Sequence, residues 1–262
     1  LKSEEAFSNS LSFEYRDEQF ISEITFYEIK MSNQISQIEF DSIFARCVES
    51  FDVTSEWCGY INRALDGTFS SSGGFISSPY YNISSFKTEG VDFKINFSVD
   101  TRFGEIEIDN FINILLKKTY QESLKDQERN CKGFYLLGNS DGLCYQPSPK
   151  FQNILNISIK RPTFGYDSEY NLTYRYIDSV KGYLYQNTSN NVSFKKMEYF
   201  DLNYNLSLDD DLDIYLGINN LLDSDPPING DIGYVPGNAN TFPSFYDPLG
   251  RYLFLKISKK IY

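Results

Sequence analysis

The run VDFKINFSVDTRFGEIEIDNFINILL, from Val91 to Leu116, decides the fold. Val91, Phe93, Ile95, Phe97 and Val99 hold one parity, and Asp92, Lys94, Asn96 and Ser98 hold the other. A period of two is that of a β-strand, whose successive side chains point to opposite faces. Arg102 to Gly104 supplies a turn, after which Ile106, Ile108, Ile112, Ile114 and Leu116 oppose Glu105, Glu107, Asp109 and Asn113. The whole run therefore reads as an antiparallel hairpin with one apolar face and one polar face.

The same pattern spreads outward from this hairpin. Upstream, Phe7, Leu11, Phe13 and Tyr15 oppose Ser8, Ser10, Ser12 and Glu14. Ile24 and Phe26 begin a second strand that continues through Tyr27, Ile29 and Met31, and its change of parity predicts a bulge. Downstream come Leu155, Ile157 and Ile159, then Tyr166, Tyr170, Leu172, Tyr174 and Tyr176. Phe200 to Leu206, Leu212 to Ile218 and a closing segment through Leu253, Leu255, Ile257 and Ile261 follow.

This makes about nine strands, each able to supply the roughly 9 to 11 residues of a tilted membrane strand. Short turns fall near Asp17, Arg102, Phe164 and Asp210, while long connections span 39–81, 121–149, 178–196 and 223–248. In the first long connection Asp41 is expected to cap a short helix through Cys47, and Gly73 with Gly74 to break regular structure. Alternating short and long connections favour an up-and-down barrel, with compact turns on one side and functional loops on the other, over a β-sandwich.

Composition agrees with that architecture. The chain has 22 Phe and 21 Tyr but one Trp, and a hydrophobic fraction of 41% sits beside a mean hydropathy of -0.40. Alternation between lipid and a wet lumen cancels in such a mean. The net charge of -12 disfavours nucleic acid, whose phosphates require a basic surface. No stretch approaches the roughly 20 apolar residues of a spanning helix. The start, Leu-Lys-Ser-Glu-Glu, lacks the basic region and apolar core of a signal peptide and reads as that of a fragment or processed product.

Four cysteines lie in two close pairs inside the long connections. The expected bonds are Cys47 to Cys58 and Cys131 to Cys144, which suit an oxidising compartment. Without a CxxC knuckle or any His, no metal site and no cofactor are expected. Catalysis finds no support, because a Ser or Cys nucleophile lacks its usual base and no Gly-rich phosphate loop is present. Glu105 and Glu107 share a strand face, yet the reading that fits them best is a lumen lining. Asp209 to Asp211 fits a tight turn without calcium.

The last forty or so residues carry a more specific pattern. LGINNLLDSDPP from Leu216 to Pro227 is followed by GNANTFP from Gly237 to Pro243, then YDPLGRY from Tyr246 to Tyr252 and a terminal amphipathic strand. This order resembles the closing segment of TonB-dependent receptors. Leu1 to Glu5, Tyr27 to Ile35, Ser85 to Phe93, Cys144 with Pro147 and Pro149, and Tyr174 to Ser179 are similar to earlier parts of the same barrel, with Ser3 where the family usually has Pro. The chain departs from the family at its end, where Tyr262 falls one residue beyond the apolar parity of Leu253 to Ile261. A bulge and an assembly signal read one residue inward both remain open.

The resemblance implies an all-β fold: nine or so strands of an antiparallel up-and-down transmembrane β-barrel fragment, an open curved sheet with short helices in its long outer loops. It implies that residues 1–262 are the carboxy-terminal portion of a 22-strand outer-membrane receptor whose plug is absent from the sequence. The implied activity is TonB-energised uptake of a scarce ligand, whether ferric siderophore, cobalamin or oligosaccharide, and the piece is not expected to transport alone. The implied partners are outer-membrane lipid, the plug and earlier strands, the TonB complex and the ligand. Aromatic residues in the outer loops are candidate ligand contacts: Trp57, Tyr60, Tyr80, Tyr81, Tyr183, Tyr185, Tyr234, Phe245 and Tyr246. A secreted, disulfide-bonded all-β binding module and a small self-contained porin are the alternatives.

Overall fold

The hairpin read from Val91 to Leu116 is part of a larger antiparallel sheet in the computed structural model. Numbering only the nine strands on the path of that sheet, they are β1 (Glu5–Arg16), β2 (Phe20–Gln37), β3 (Tyr80–Thr101), β4 (Gly104–Gln121), β5 (Phe151–Lys160), β6 (Asp167–Ile177), β7 (Met197–Asp209), β8 (Leu212–Asn219) and β9 (Tyr252–Lys259). The structure describes residues 1–38, 40–121, 128–137, 146–184, 193–209, 212–228 and 240–260. Each strand pairs with the next in sequence, and the path opens on β1 and closes on β9. The short segment Arg129–Asn130 adds to β4 off this path.

Connections alternate as expected. Those after β1, β3, β5 and β7 span 17–19, 102–103, 161–166 and 210–211; those after β2, β4, β6 and β8 span 38–79, 122–150, 178–196 and 220–251. Chain contacts divide the molecule into two compact units: Leu1–Phe7, Lys30–Phe86 and Tyr120–Glu128 form one, and Ser8–Ile29, Lys87–Thr119 and Arg129–Tyr262 form the other.

In the second unit the pairing register turns strand alternation into sheet-wide rows. Ile106, Ile159, Tyr170, Tyr204, Leu216 and Leu255 stand side by side across β4 to β9, and Ile108, Ile157, Leu172, Leu202, Ile218 and Leu253 form the next row on that face. Between them, on the opposite face, runs Glu107, Ser158, Asn171, Asn203, Gly217 and Phe254. Among the described residues no second layer covers the apolar rows, since Leu202, Leu216, Leu253 and Leu255 are 42%, 46%, 75% and 61% exposed. Aromatic pairs flank the aliphatic centre: Tyr170 with Tyr204 at 4.8 Å toward the short turns, and Tyr174 with Phe200 at 5.0 Å and Phe151 with Tyr176 at 5.6 Å toward the long connections. Aromatic girdles bracketing an apolar band are what a membrane strand wall displays at the two interfaces.

Two departures from pure alternation have physical causes. Asn110 and Asn153 lie on the apolar face, where the Asn153 side-chain amide donates to Asn110 Oδ1 at 2.5 Å, so neither amide lacks a partner. Glu28, Lys87 and Glu89 continue the apolar parity of Phe26 and Val91 but pair with one another, marking where the band ends on β2 and β3.

The long connections hold their own structure. Phe134–Leu137 pairs in parallel with Val180–Leu184, which pairs antiparallel with Ser193–Phe194. Tyr135, Val180, Phe194, Phe242 and Tyr246 close a core with Ile177 and Tyr199 of the wall, and Tyr135 stacks on Phe194 at 4.6 Å. In the first unit α1 (Phe40–Glu49) and α2 (Glu56–Gly59) are joined by the Cys47–Cys58 disulfide, with Cα atoms 4.8 Å apart. Among the described residues no helix is long and apolar enough to cross a membrane.

Several expectations are corrected. β2 runs from Phe20 to Gln37, and Tyr27 turns to the polar face because its ring fills the space above Gly90, which has no Cβ to obstruct it; Asn33, at φ 55°, is a left-handed residue within the strand. α1 starts at Phe40, which places Asp41 within its first turn and not ahead of it. Tyr166 precedes β6 and closes the turn by bridging to Thr163. Cys131 is disulfide-bonded and buried, while its expected partner Cys144 lies outside the described residues. So do Ile261 and Tyr262, on which the terminal register question turned, and Asp210 and Asp211 of the acidic turn.

Candidate functional site

The polar face of the wall is a network of paired charges. Lys160 Nζ lies 2.6 Å from Glu107 and 3.9 Å from Glu105, and Ser158 donates to Glu107. Asp92 accepts from Asn113 at 2.7 Å, and Asn96 donates to Asp109. The two carboxylates noted on β4 are thus tied to one lysine and have the character of a lining. Arg175 binds Asp201 at 3.2 Å while lying 4.9 Å above the Tyr199 ring, and Asp201 also accepts the backbone N–H of Asn220 at 2.8 Å. Asn220, at φ 51°, in turn exchanges two 2.9 Å bonds with the backbone of Ser224 and so closes a turn through its own amide. Among the described residues no group of His, Cys, Asp or Glu forms a metal cluster.

The candidate aromatic residues separate into three groups. Trp57, Tyr60 and Tyr81 are brought together around the disulfide-linked helices: the Trp57 and Tyr60 rings are 6.5 Å apart and those of Tyr60 and Tyr81 6.3 Å apart. Ser55 accepts from the Cys58 amide and fixes the start of α2, and Arg46 lies 4.7 Å over the Trp57 ring. Tyr80, beside them in sequence, is 59% exposed. Phe245 and Tyr246 belong instead to the aromatic core, where burial pushes the Tyr246 phenol well above its ordinary range. Tyr183 sits in the small sheet with its side chain outside the described residues, as are Tyr185 and Tyr234 entirely.

Sequence reading missed Glu56. Its carboxylate accepts from the Tyr81 hydroxyl at 2.9 Å, and the Tyr60 hydroxyl, 3.4 Å from that carboxylate, donates its single proton to the Tyr81 oxygen. An exposed acid in a loop carries no periodic signal. The cue available was its place beside Trp57 and Cys58.

No family model matches the chain, and no curated protein matches it. Solved structures do. The FrpB iron transporter from Neisseria meningitidis (F3-3 variant) superposes with a TM-score of 0.60 at 14% identity over 99% of this chain and 32% of its own. The ferric enterobactin receptor PfeA from Pseudomonas aeruginosa, as its G324V mutant, gives 0.62 at 14% identity over 100% and 32%. The siderophore receptor PirA from Acinetobacter baumannii gives 0.60 at 12% over 100% and 32%. The fold is that of a TonB-dependent receptor barrel. This chain spans about a third of the length of those receptors, and its sheet superposes on part of their barrel walls. At such identities the likeness concerns the fold.

Proposed function

We propose that the chain is the carboxy-terminal portion of an outer-membrane receptor barrel that takes up a scarce ligand with energy from the TonB complex. The observation that carries this reading is the pair of uncovered apolar rows crossing six strands, backed by a polar, charge-paired face. Hydrocarbon on one side and a hydrated lumen on the other account for both faces. Ferric siderophores head the ligand classes, ahead of cobalamin and oligosaccharides, because the similar structures include siderophore receptors and an iron transporter. Trp57, Tyr60, Tyr80 and Tyr81 are the ligand-facing candidates.

The test is fractionation followed by uptake. The complete receptor is expected in outer membranes with heat-modifiable gel mobility, and to accumulate radiolabelled ferric siderophore only in cells with functional TonB. Recovery of the chain as a soluble species without detergent would favour the secreted binding module instead. Uptake that persists without TonB would point to a porin.

A further inference from the structure

We propose that Asn110 and Asn153 join two copies of this chain side by side in the membrane, at the centre of a two-fold interface between the apolar faces of β4 and β5. On β4 Asn110 interrupts the apolar parity of Ile106, Ile108, Ile112, Ile114 and Leu116, and on β5 Asn153 lies between Phe151 and Leu155 on the same face. The Asn153 side-chain amide donates to Asn110 Oδ1 at 2.5 Å and to the Phe111 carbonyl at 3.3 Å. That leaves over the NH2 group of Asn110 and the carbonyl oxygen of Asn153, neither of which has a partner among the described residues. Neither belongs to the buried unpartnered atoms, so both open on the apolar surface.

The surroundings select the occupant, and the inference rests on the receptor reading above in taking this face to meet lipid. Hydrocarbon offers neither donor nor acceptor, so an open amide group there carries its full desolvation cost. Acyl chains cannot relieve it, whereas a surface presenting one carbonyl and one NH2 group does. A second copy presents both, at matching positions. A half-turn about an axis between the two residues brings the NH2 group of Asn110 onto Asn153 of the partner subunit, and the same operation makes the reciprocal bond.

The spacing fits as well. Sheets meet face to face about 10 Å apart, a gap that two side chains of asparagine length and one hydrogen bond between them fill. Ile108, Ile112, Leu155 and Ile157 surround the pair with uncharged surface. Packing of such side chains against a neighbouring wall gains little over packing against acyl chains, so the amides decide where two walls meet.

The complete receptor, purified from outer membranes and reconstituted into lipid vesicles as a mixture of donor-labelled and acceptor-labelled copies, should show energy transfer that declines as lipid is added. Leu155→Cys, beside the axis, should cross-link copy to copy under mild oxidation, whereas Leu216→Cys, on the same face three strands away on β8, should not. Asn110→Leu combined with Asn153→Leu removes both amides together and should weaken association by about tenfold or more, the effect of two hydrogen bonds between membrane segments. Unchanged heat-modified mobility confirms that the double variant is folded. A receptor that stays monomeric at every lipid ratio, or an equal Leu155→Cys cross-link in the double-variant background, overturns the interface and leaves the receptor reading standing. A Leu155→Cys cross-link to a different protein overturns it too, by giving the face another occupant. Recovery of the chain as a soluble species without detergent would sink both readings.

Discussion

At Gly217 the wall has room for backbone and little else. A Cβ there would collide with the ring of Phe254 on β9 and with Asn203 on β7, because that ring lies across the glycine on the polar face. Gly217→Val should therefore cost about 1 to 3 kcal/mol, read as a lower urea midpoint for folding into detergent. Adding Phe254→Ala should recover part of the loss, and a strictly additive double variant would refute the contact. The loop carboxylates make a second prediction at this scale. Hydrogen bonds from the Thr54 hydroxyl and amide hold Asp52 below its ordinary pKa, and the Ser71 hydroxyl with the Thr68 amide and hydroxyl do the same for Asp66. A folded pKa below the unfolded value stabilises above the unfolded value of 3.8 and is lost as pH falls through the folded one. Amide-exchange protection at Thr54 and Thr68 should thus stay flat from neutral pH down to about 5 and fall below about 4, and Asp66→Asn should abolish the change at Thr68.

Among elements, the disulfide-linked pair of helices depends most on a single covalent bond. The Cys47–Cys58 bridge closes a loop of sequence separation 11, for which chain entropy predicts about 3 kcal/mol of local stabilisation. Replacing both cysteines by Ser should expose α1 and α2 to limited proteolysis while β4 to β9 keep their exchange protection. Loss of protection throughout the wall would show that the loop is not an independent unit. Elements of this kind were the least legible in the sequence. The parallel pairing of Phe134–Leu137 with Val180–Leu184 joins two four- or five-residue strands from different connections, too short for a period and too distant for a turn signal. Tyr27 misled for a related reason, since its place on the polar face depends on a missing side chain at Gly90, far along the chain. The nine wall strands were readable because each carries its own alternation, and the loop cysteines because of their spacing. Of the candidate site, Trp57, Tyr60 and Tyr81 were named from residue type, while Glu56 joined them only through three-dimensional convergence.

For the whole molecule, the decisive asymmetry is between two faces of one sheet. Leu172 and Asn171 are neighbours on β6 but stand in an apolar and a polar row respectively. Leu172→Arg should cost about 2 to 4 kcal/mol and reduce assembly into membranes, whereas Asn171→Arg should be tolerated. Folding yield into lipid vesicles measures both, and equal sensitivity at the two positions would argue against a lipid-facing wall.

The amide pair of Asn110 and Asn153 bears on how β4 and β5 find their alignment. Aliphatic side chains along two such strands are nearly interchangeable, so a slide of two residues would keep every greasy group in oil and lose little contact. It would also strand two carboxamides in a medium with no water to receive them, at several kcal/mol for the pair. The asparagines thus act as a latch: in a medium without water, this polar contact on the apolar face of β4 and β5 penalises a shifted alignment.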